Sequence, residues 1–295
     1  MRRSEAALAL SAALSVIAVA PAAHAYCRTS YCPDVGTAQV CTPAAPGDCG
    51  KVLYWPTQCV SWSLQKDAST QVGFAQAEQA VKAAFQTWMN APCNGGGPGI
   101  SVVEAEPVEC TVHEYNQEAG NANAIMFRDD AWPYAGSGNT LALTTVTYDL
   151  EKGEIYDADM ELNSATVAFS VSDLEVEFDL LSILTHEAGH FLGLAHTAEP
   201  SATMFPDYHQ KSIDQRDLAA DDVAGICAIY PPAPIPDGCD ATPRHGFSAL
   251  CASAQAEGDS GCSVAGPVAR GGAWASLVVA VAAIGLAARR ARRRA

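Results

Sequence analysis

His186-Glu187-Ala188-Gly189-His190-Phe191-Leu192-Gly193-Leu194-Ala195-His196 is the stretch around which the rest of this 295-residue chain is organised. In an α-helix, side chains four residues apart stand one turn above each other on one face. His186 and His190 can therefore aim two imidazoles at a single point, a spacing that suits zinc. Glu187 sits beside them, placed to take a proton from a metal-bound water. Gly193 can adopt the positive φ that ends a helix and turns the chain. That turn lets His196 arrive as a third ligand and leaves the fourth tetrahedral position for water. With average amino-acid usage, five fixed positions including three histidines arise by chance on the order of once in ten million starts. The competing reading, a helix that merely carries core histidines, is set aside on that ground.

Working outward, residues 178–185 carry Leu180, Leu181, Ile183 and Leu184 to bury one side of the same helix, with Asp179 as its N-cap. Upstream, Cys59 to Leu64 alternates apolar and polar as a half-buried strand does. Residues 69–90 place Phe74, Ala77, Val81, Ala84, Phe85 and Trp88 on one helical stripe, with Ser69 or Thr70 as N-cap. Strand-like runs follow at 100–103, 124–127, 140–147 and 155–162. The Gly-rich loop 94–99 is no phosphate cradle, because neither a lysine nor a helix start follows it. Beyond the motif, residues 201–206 make a tight turn and 214–230 read as a closing helix stopped by Pro231 and Pro232. This order predicts an α+β (α/β-like) unit with a mixed sheet.

Both ends read as addresses. Met1-Arg2-Arg3, an apolar run from Ala6 to Ala20 and Ala23-His24-Ala25 form a secretory signal peptide over 1–25, with Tyr26 as the mature start. Residues 26–50 form a Cys-rich segment, 51–231 the main domain and 232–262 a Pro/Ala/Gly-rich linker. At 263–295 an apolar run from Ala273 to Ala288 precedes Arg289, Arg290, Arg292, Arg293 and Arg294, as in a membrane tail with its arginines inside. With Gly261-Cys262-Ser263 before it, the tail resembles the myxobacterial C-terminal sorting signal (MYXO-CTERM type). That resemblance implies processing by sorting machinery and attachment to the outer cell surface; a plain tail anchor is the alternative.

Cysteine usage agrees with export. Setting Cys262 aside leaves ten of eleven, an even number suited to disulfides in an oxidising compartment. A Cys239–Cys251 loop within the linker is one expected pairing. The net charge of −16 excludes a nucleic-acid partner, because such a surface repels phosphate.

The three-histidine motif, with Met204 eight residues beyond His196, is similar to that of the metzincin metalloproteases. Within them, Ser201-Ala202-Thr203-Met204-Phe205-Pro206, residues 221–230 and the run from Gly138 to Leu143 resemble the matrixins. The resemblance covers roughly 51–231. It implies a metzincin fold: a mixed five-stranded sheet, an active-site helix and a C-terminal helix after the Met-turn. It further implies a zinc metalloendopeptidase with His186, His190 and His196 as metal ligands and Glu187 as catalytic base. Met204 would lie under the zinc, Pro206 would wall a specificity pocket, and the strand near Leu141 to Leu143 would pair with an extended protein or peptide substrate. The expected body is a monomer.

Departures from the family pattern narrow the reading. Arg128, Leu143 and Asp159 stand where matrixins place the histidines of a second, structural zinc, and only Asp130 fits; one catalytic Zn2+ is expected. Ca2+ is a further candidate ion at Asp157, Asp159 and Glu161, against a reading as solvated carboxylates. Two other readings stand beside the enzyme. A non-catalytic, zinc-stabilised surface or adhesion module would use the motif structurally. An astacin-like metzincin would need Tyr208 to reach the metal.

Overall fold

The computed structural model describes residues 26–31, 51–134 and 140–250, and the backbone of 279–282 and 285–286. The stretch expected as a signal peptide, most of the Cys-rich segment, Gly138, Asn139, Cys251, Gly261-Cys262-Ser263 and most of the apolar, arginine-ended tail lie outside the described residues. Elements in chain order are β1 (Cys27–Arg28), β2 (Ser30–Tyr31), β3 (Lys51–Val52), β4 (Cys59–Leu64), α1 (Phe74–Met89), β5 (Ser101–Glu104), β6 (Ala124–Phe127) and β7 (Ala142–Tyr148). There follow β8 (Ile155–Leu162), β9 (Phe169–Ser170), β10 (Phe178–Asp179), α2 (Leu180–Phe191), β11 (Leu194–Ala195), β12 (Asp207–Tyr208), α3 (Ala220–Ile229), β13 (Val279–Ala282) and β14 (Gly285–Leu286).

Five strands of the main body form a mixed sheet in the order β7-β8-β6-β4-β5. β4 runs parallel to β5 and β6, β6 runs parallel to β8, and β7 is antiparallel to β8. The expected α+β class and five-stranded sheet are therefore present. β13 adds antiparallel to the outer edge of β7, and β14 pairs parallel with β12. No helix among the described residues is long and apolar enough to cross a membrane.

Both faces of the sheet are covered, so the side-chain alternation of β4, β6 and β8 does not separate wet from dry. On one face α1 and α2 pack over Trp62, Phe85, Trp88, Ile125, Met160 and Leu184, which form the main core. The stripe read from the sequence supplies the buried residues of α1: Ala77, Val81, Ala84, Phe85 and Trp88. On the other face Val108, Cys110, Ala122, Ala124 and Met126 make a second, smaller core.

The stretch after Pro231 closes over that second face. Glu109 N donates to Ala249 O (2.8 Å), Asn121 N to Gly246 O (2.9 Å) and the Ser61 hydroxyl to Ala241 O (2.8 Å). Composition alone reads it as a linker, yet its hydrogen bonds make it part of the fold.

Three local expectations are corrected. Cys239 bonds Cys59 rather than Cys251, tying that stretch to β4; a second disulfide joins Cys93 to Cys227 in α3. α1 begins after Gly73, with no side-chain cap. The Ser69 hydroxyl and the Thr70 amide are taken by Asp129 (2.7 and 2.6 Å), which holds those residues in a turn outside the helix. The closing helix is broken: a 3-10 turn at Asp214–Arg216 leads through extended Asp217 to α3. Arg216 is drawn onto Asp179 (2.6 Å), and the Asp217 carbonyl accepts from the Thr203 hydroxyl (3.0 Å), so the chain cannot stay helical there.

Candidate metal centre

α2 carries the first two histidines, and its start is fixed as its sequence predicts. The Asp179 carboxylate accepts from the Ser182 amide (2.8 Å) and hydroxyl (2.7 Å), satisfying a donor that the first turn leaves open. Arg216 covers the same carboxylate. The helix ends at Phe191, and Gly193 at φ +92° turns the chain. A side chain there would also collide with Leu53 O, 2.7 Å from an added Cβ. The turn is braced by the N-terminal strand: Cys27 pairs with Ala195, and the Thr29 hydroxyl donates to Leu194 O (2.8 Å).

These supports bring His186, His190 and His196 together, as the sequence predicts. The Nε2 atoms of His186 and His190 each lie 3.2 Å from Nε2 of His196. His186 Nδ1 lies 2.7 Å from Thr203 O, and His190 Nδ1 lies 2.9 Å from Leu194 O. A carbonyl only accepts, so each Nδ1 carries the proton and each Nε2 turns a lone pair inward. Burial, with His196 close by, lowers His186 to about 3; burial lowers His196 to about 4 and takes His190 well below its ordinary value. The rings are therefore neutral, the form that binds metal.

The donor set fits zinc. Buried lone pairs that face one another repel unless a cation lies between them. Tetrahedral ligands about 2.05 Å from zinc stand roughly 3.3 Å apart, close to the observed separation. Among the described residues this is the one group of three or more His, Cys, Asp or Glu able to hold a metal ion.

Glu187 is wholly buried, and burial raises its carboxyl to about 8, against a lowering hydrogen bond from Thr144. The Thr144 hydroxyl donates to Glu187 Oε2 at 2.6 Å, while Oε1 is buried without a partner.

Met204 packs under the helix at Gly189, where an added Cβ would stand 2.2 Å from the Met204 sulfur. The turn around it is held from α3: the Asp222 carboxylate accepts from Thr203 N (2.7 Å) and Met204 N (3.0 Å). Sequence reasoning missed Thr144 and Asp222. A hydroxyl at a core-facing position of β7 was the available signal for the first; nothing local marks the second. Tyr208 is not placed as a metal ligand. Its hydroxyl accepts from Asp179 N (2.8 Å) and donates to Ser212 O (2.7 Å), which removes the observation an astacin-like site would need.

The carboxylates on the far face of β8 are buried, which overturns the solvated reading. Asp159 accepts from Ala124 N (2.7 Å) and Glu114 N (3.0 Å). Glu161 is paired with Arg128 and hydrogen-bonded by Tyr134, with His113 3.1 Å away. Arg128, which stands where a zinc-binding histidine would be in the family pattern, thus joins the loop after β6 to β8 through an ion pair.

A buried three-imidazole centre, an adjoining glutamate and a methionine turn, set on this mixed sheet, are the arrangement that the resemblance to the metzincins implies. The family is narrower still: residues 54–231, more than half of the chain, match the Matrixin family model, and the chain belongs to the matrixins. It is 28% identical over 178 residues to human matrix metalloproteinase-20, covering 60% of this chain and 32% of that protein. It is 26% identical over 166 residues to human neutrophil collagenase, covering 56% and 31%. Against metalloendoproteinase 1-MMP of Arabidopsis thaliana, identity is 35% over 109 residues, covering 36% and 28%. The chain spans about a third of the length of these curated relatives.

Proposed function

We propose that this protein is an exported zinc endopeptidase, attached to the outer cell surface through its C-terminal tail, that hydrolyses peptide bonds in extended protein segments. The observation that carries the reading is the convergence of three neutral, buried imidazoles with a glutamate held so that one oxygen is free. His186, His190 and His196 would hold the ion. When bound, zinc makes a coordinated water acidic, with a pKa of about 7, and polarises a carbonyl. With the charge of a bound cation beside it favouring the carboxylate, Glu187 would take the proton of the attacking water on its free oxygen and hand it to the leaving amine. The edge strand near Leu141 to Leu143 would pair with an extended substrate by strand addition, as the matrixin resemblance implies. Pro206, partly buried two residues after Met204, would wall the specificity pocket.

Export is supported by the Cys59–Cys239 and Cys93–Cys227 disulfides, which persist in oxidising compartments. Surface attachment rests on the tail sequence. A non-catalytic module is disfavoured, because structural zinc sites close all four positions with protein ligands. The test is Glu187→Ala, assayed on casein or gelatin beside a zinc determination. The variant should hold zinc and lose cleavage; cleavage at the wild-type rate refutes the assignment.

A further inference from the structure

We propose that Thr144 is the positioning residue of the base: its hydroxyl anchors one oxygen of Glu187 and leaves the other free to receive the proton. The inference rests on the reading of Glu187 as base and adds a residue that the motif does not contain.

Thr144 lies on β7 opposite Met160, and its face of the strand also carries Ala142 and Val146, both in the main core. An apolar residue is expected at that position, because burying a hydroxyl without a compensating bond is unfavourable. The Thr144 side chain is fully buried, and both of its hydrogen-bond contacts are to Glu187: Oε2 at 2.6 Å and the main-chain oxygen at 3.3 Å. Among the described residues nothing else hydrogen-bonds the Glu187 carboxylate, and Oε1 has no partner. A carboxylate bonded to nothing turns freely about its last torsion, which is broad and two-fold. One short bond from a rigid strand stops that rotation and fixes which oxygen faces the reacting water. Placement of this kind acts on the chemical step and not on substrate binding.

The alternative is that Thr144 only packs the sheet against α2. Valine has the same shape and lacks the hydroxyl, so Thr144→Val separates the two. The zinc-loaded protein is assayed for kcat and KM on one fluorogenic peptide, with bound zinc and melting temperature measured alongside. Thr144→Val should keep its zinc and its KM within about twofold, and lose about 10- to 100-fold in kcat, part of the contribution of a placed base. Thr144→Ser keeps the hydroxyl and should stay within about threefold of wild type. Thr144→Ala should follow Val, which preserves the comparison if Val fails to fold. A kcat for Thr144→Val within about twofold of wild type overturns the proposal, as does Ser falling with Ala. Glu187→Gln is run in parallel. If it remains active, the base reading itself has failed; if it is dead while Thr144→Val is normal, only the positioning role has.

Discussion

Asp222 gives the sharpest quantitative expectation, because its carboxylate is the hub of the turn beneath the metal centre. Three backbone donors converge on it: Thr203 N at 2.7 Å, Ala219 N at 2.9 Å and Met204 N at 3.0 Å. Burial raises its carboxyl from 3.8 to about 6, although those three bonds pull the other way. A raised folded-state value means that the native protein binds this proton more tightly than the unfolded chain does. The associated stability is present in full below the unfolded value and is lost as pH rises through about 6. The shift makes the ionised group cost the native state roughly 3 kcal/mol at pH 7.

Asp222→Asn removes that charge but keeps one oxygen, which can serve Thr203 N and Ala219 N while Met204 N is orphaned. An orphaned buried donor costs about 1–3 kcal/mol, so the Asn variant should lie near wild type at pH 7. Asp222→Ala orphans all three donors and should be less stable than Asn by about 3 kcal/mol. Denaturant unfolding from pH 4 to 7, with a chelator throughout so that metal release adds no pH dependence, measures both. Wild type should gain on Asn as pH falls. The Thr203 carbonyl accepts from His186 Nδ1, so loosening the turn in the Ala variant should weaken zinc binding about 10- to 100-fold. A difference between wild type and Asn that stays constant from pH 4 to 7, or an Ala variant as stable as Asn, refutes the reasoning.

Two further expectations follow from close packing and from a buried charge. Gly189→Ala places a methyl 2.2 Å from the Met204 sulfur and 2.8 Å from Trp88 Cζ2; it should destabilise by about 1–3 kcal/mol, read as a lowered melting temperature. Arg128→Leu strands the fully buried Glu161 carboxylate with only His113 and Tyr134 as neighbours. It should destabilise by about 3–5 kcal/mol in denaturant, with zinc stoichiometry unchanged.

What the sequence reveals here follows the range of each interaction. The helix of His186 and His190, its Asp179 cap and the turn at Gly193 are set by residues within a few positions of each other, and all three are where periodicity and capping chemistry place them. The stripe of α1 is legible for the same reason. Its start is not, because Asp129, some sixty positions away, competes for the Ser69 hydroxyl and the Thr70 amide. The closing helix is broken by partners 37 and 14 positions away, Asp179 and Thr203. Composition misleads after Pro231 because proline- and glycine-rich chain can still cover a sheet face when its backbone donors are met there.

The centre divides along the same line. The groups that would hold metal sit in eleven consecutive residues, but the groups that orient them come from elsewhere: Thr144 lies 43 positions from Glu187, and the Thr203 carbonyl lies 17 from His186. Asp222 is a further 18 from Met204. A main-chain carbonyl leaves no trace in the sequence at all, because any residue supplies one. A side chain such as Thr144 does leave a trace, as a polar residue in an apolar row, and can be read only once strand register shows which face it occupies. The motif therefore identifies the chemistry, while its alignment depends on a sheet and a third helix that must already be folded. Mutations in β7 or α3 should for that reason change the centre without touching any residue of the motif.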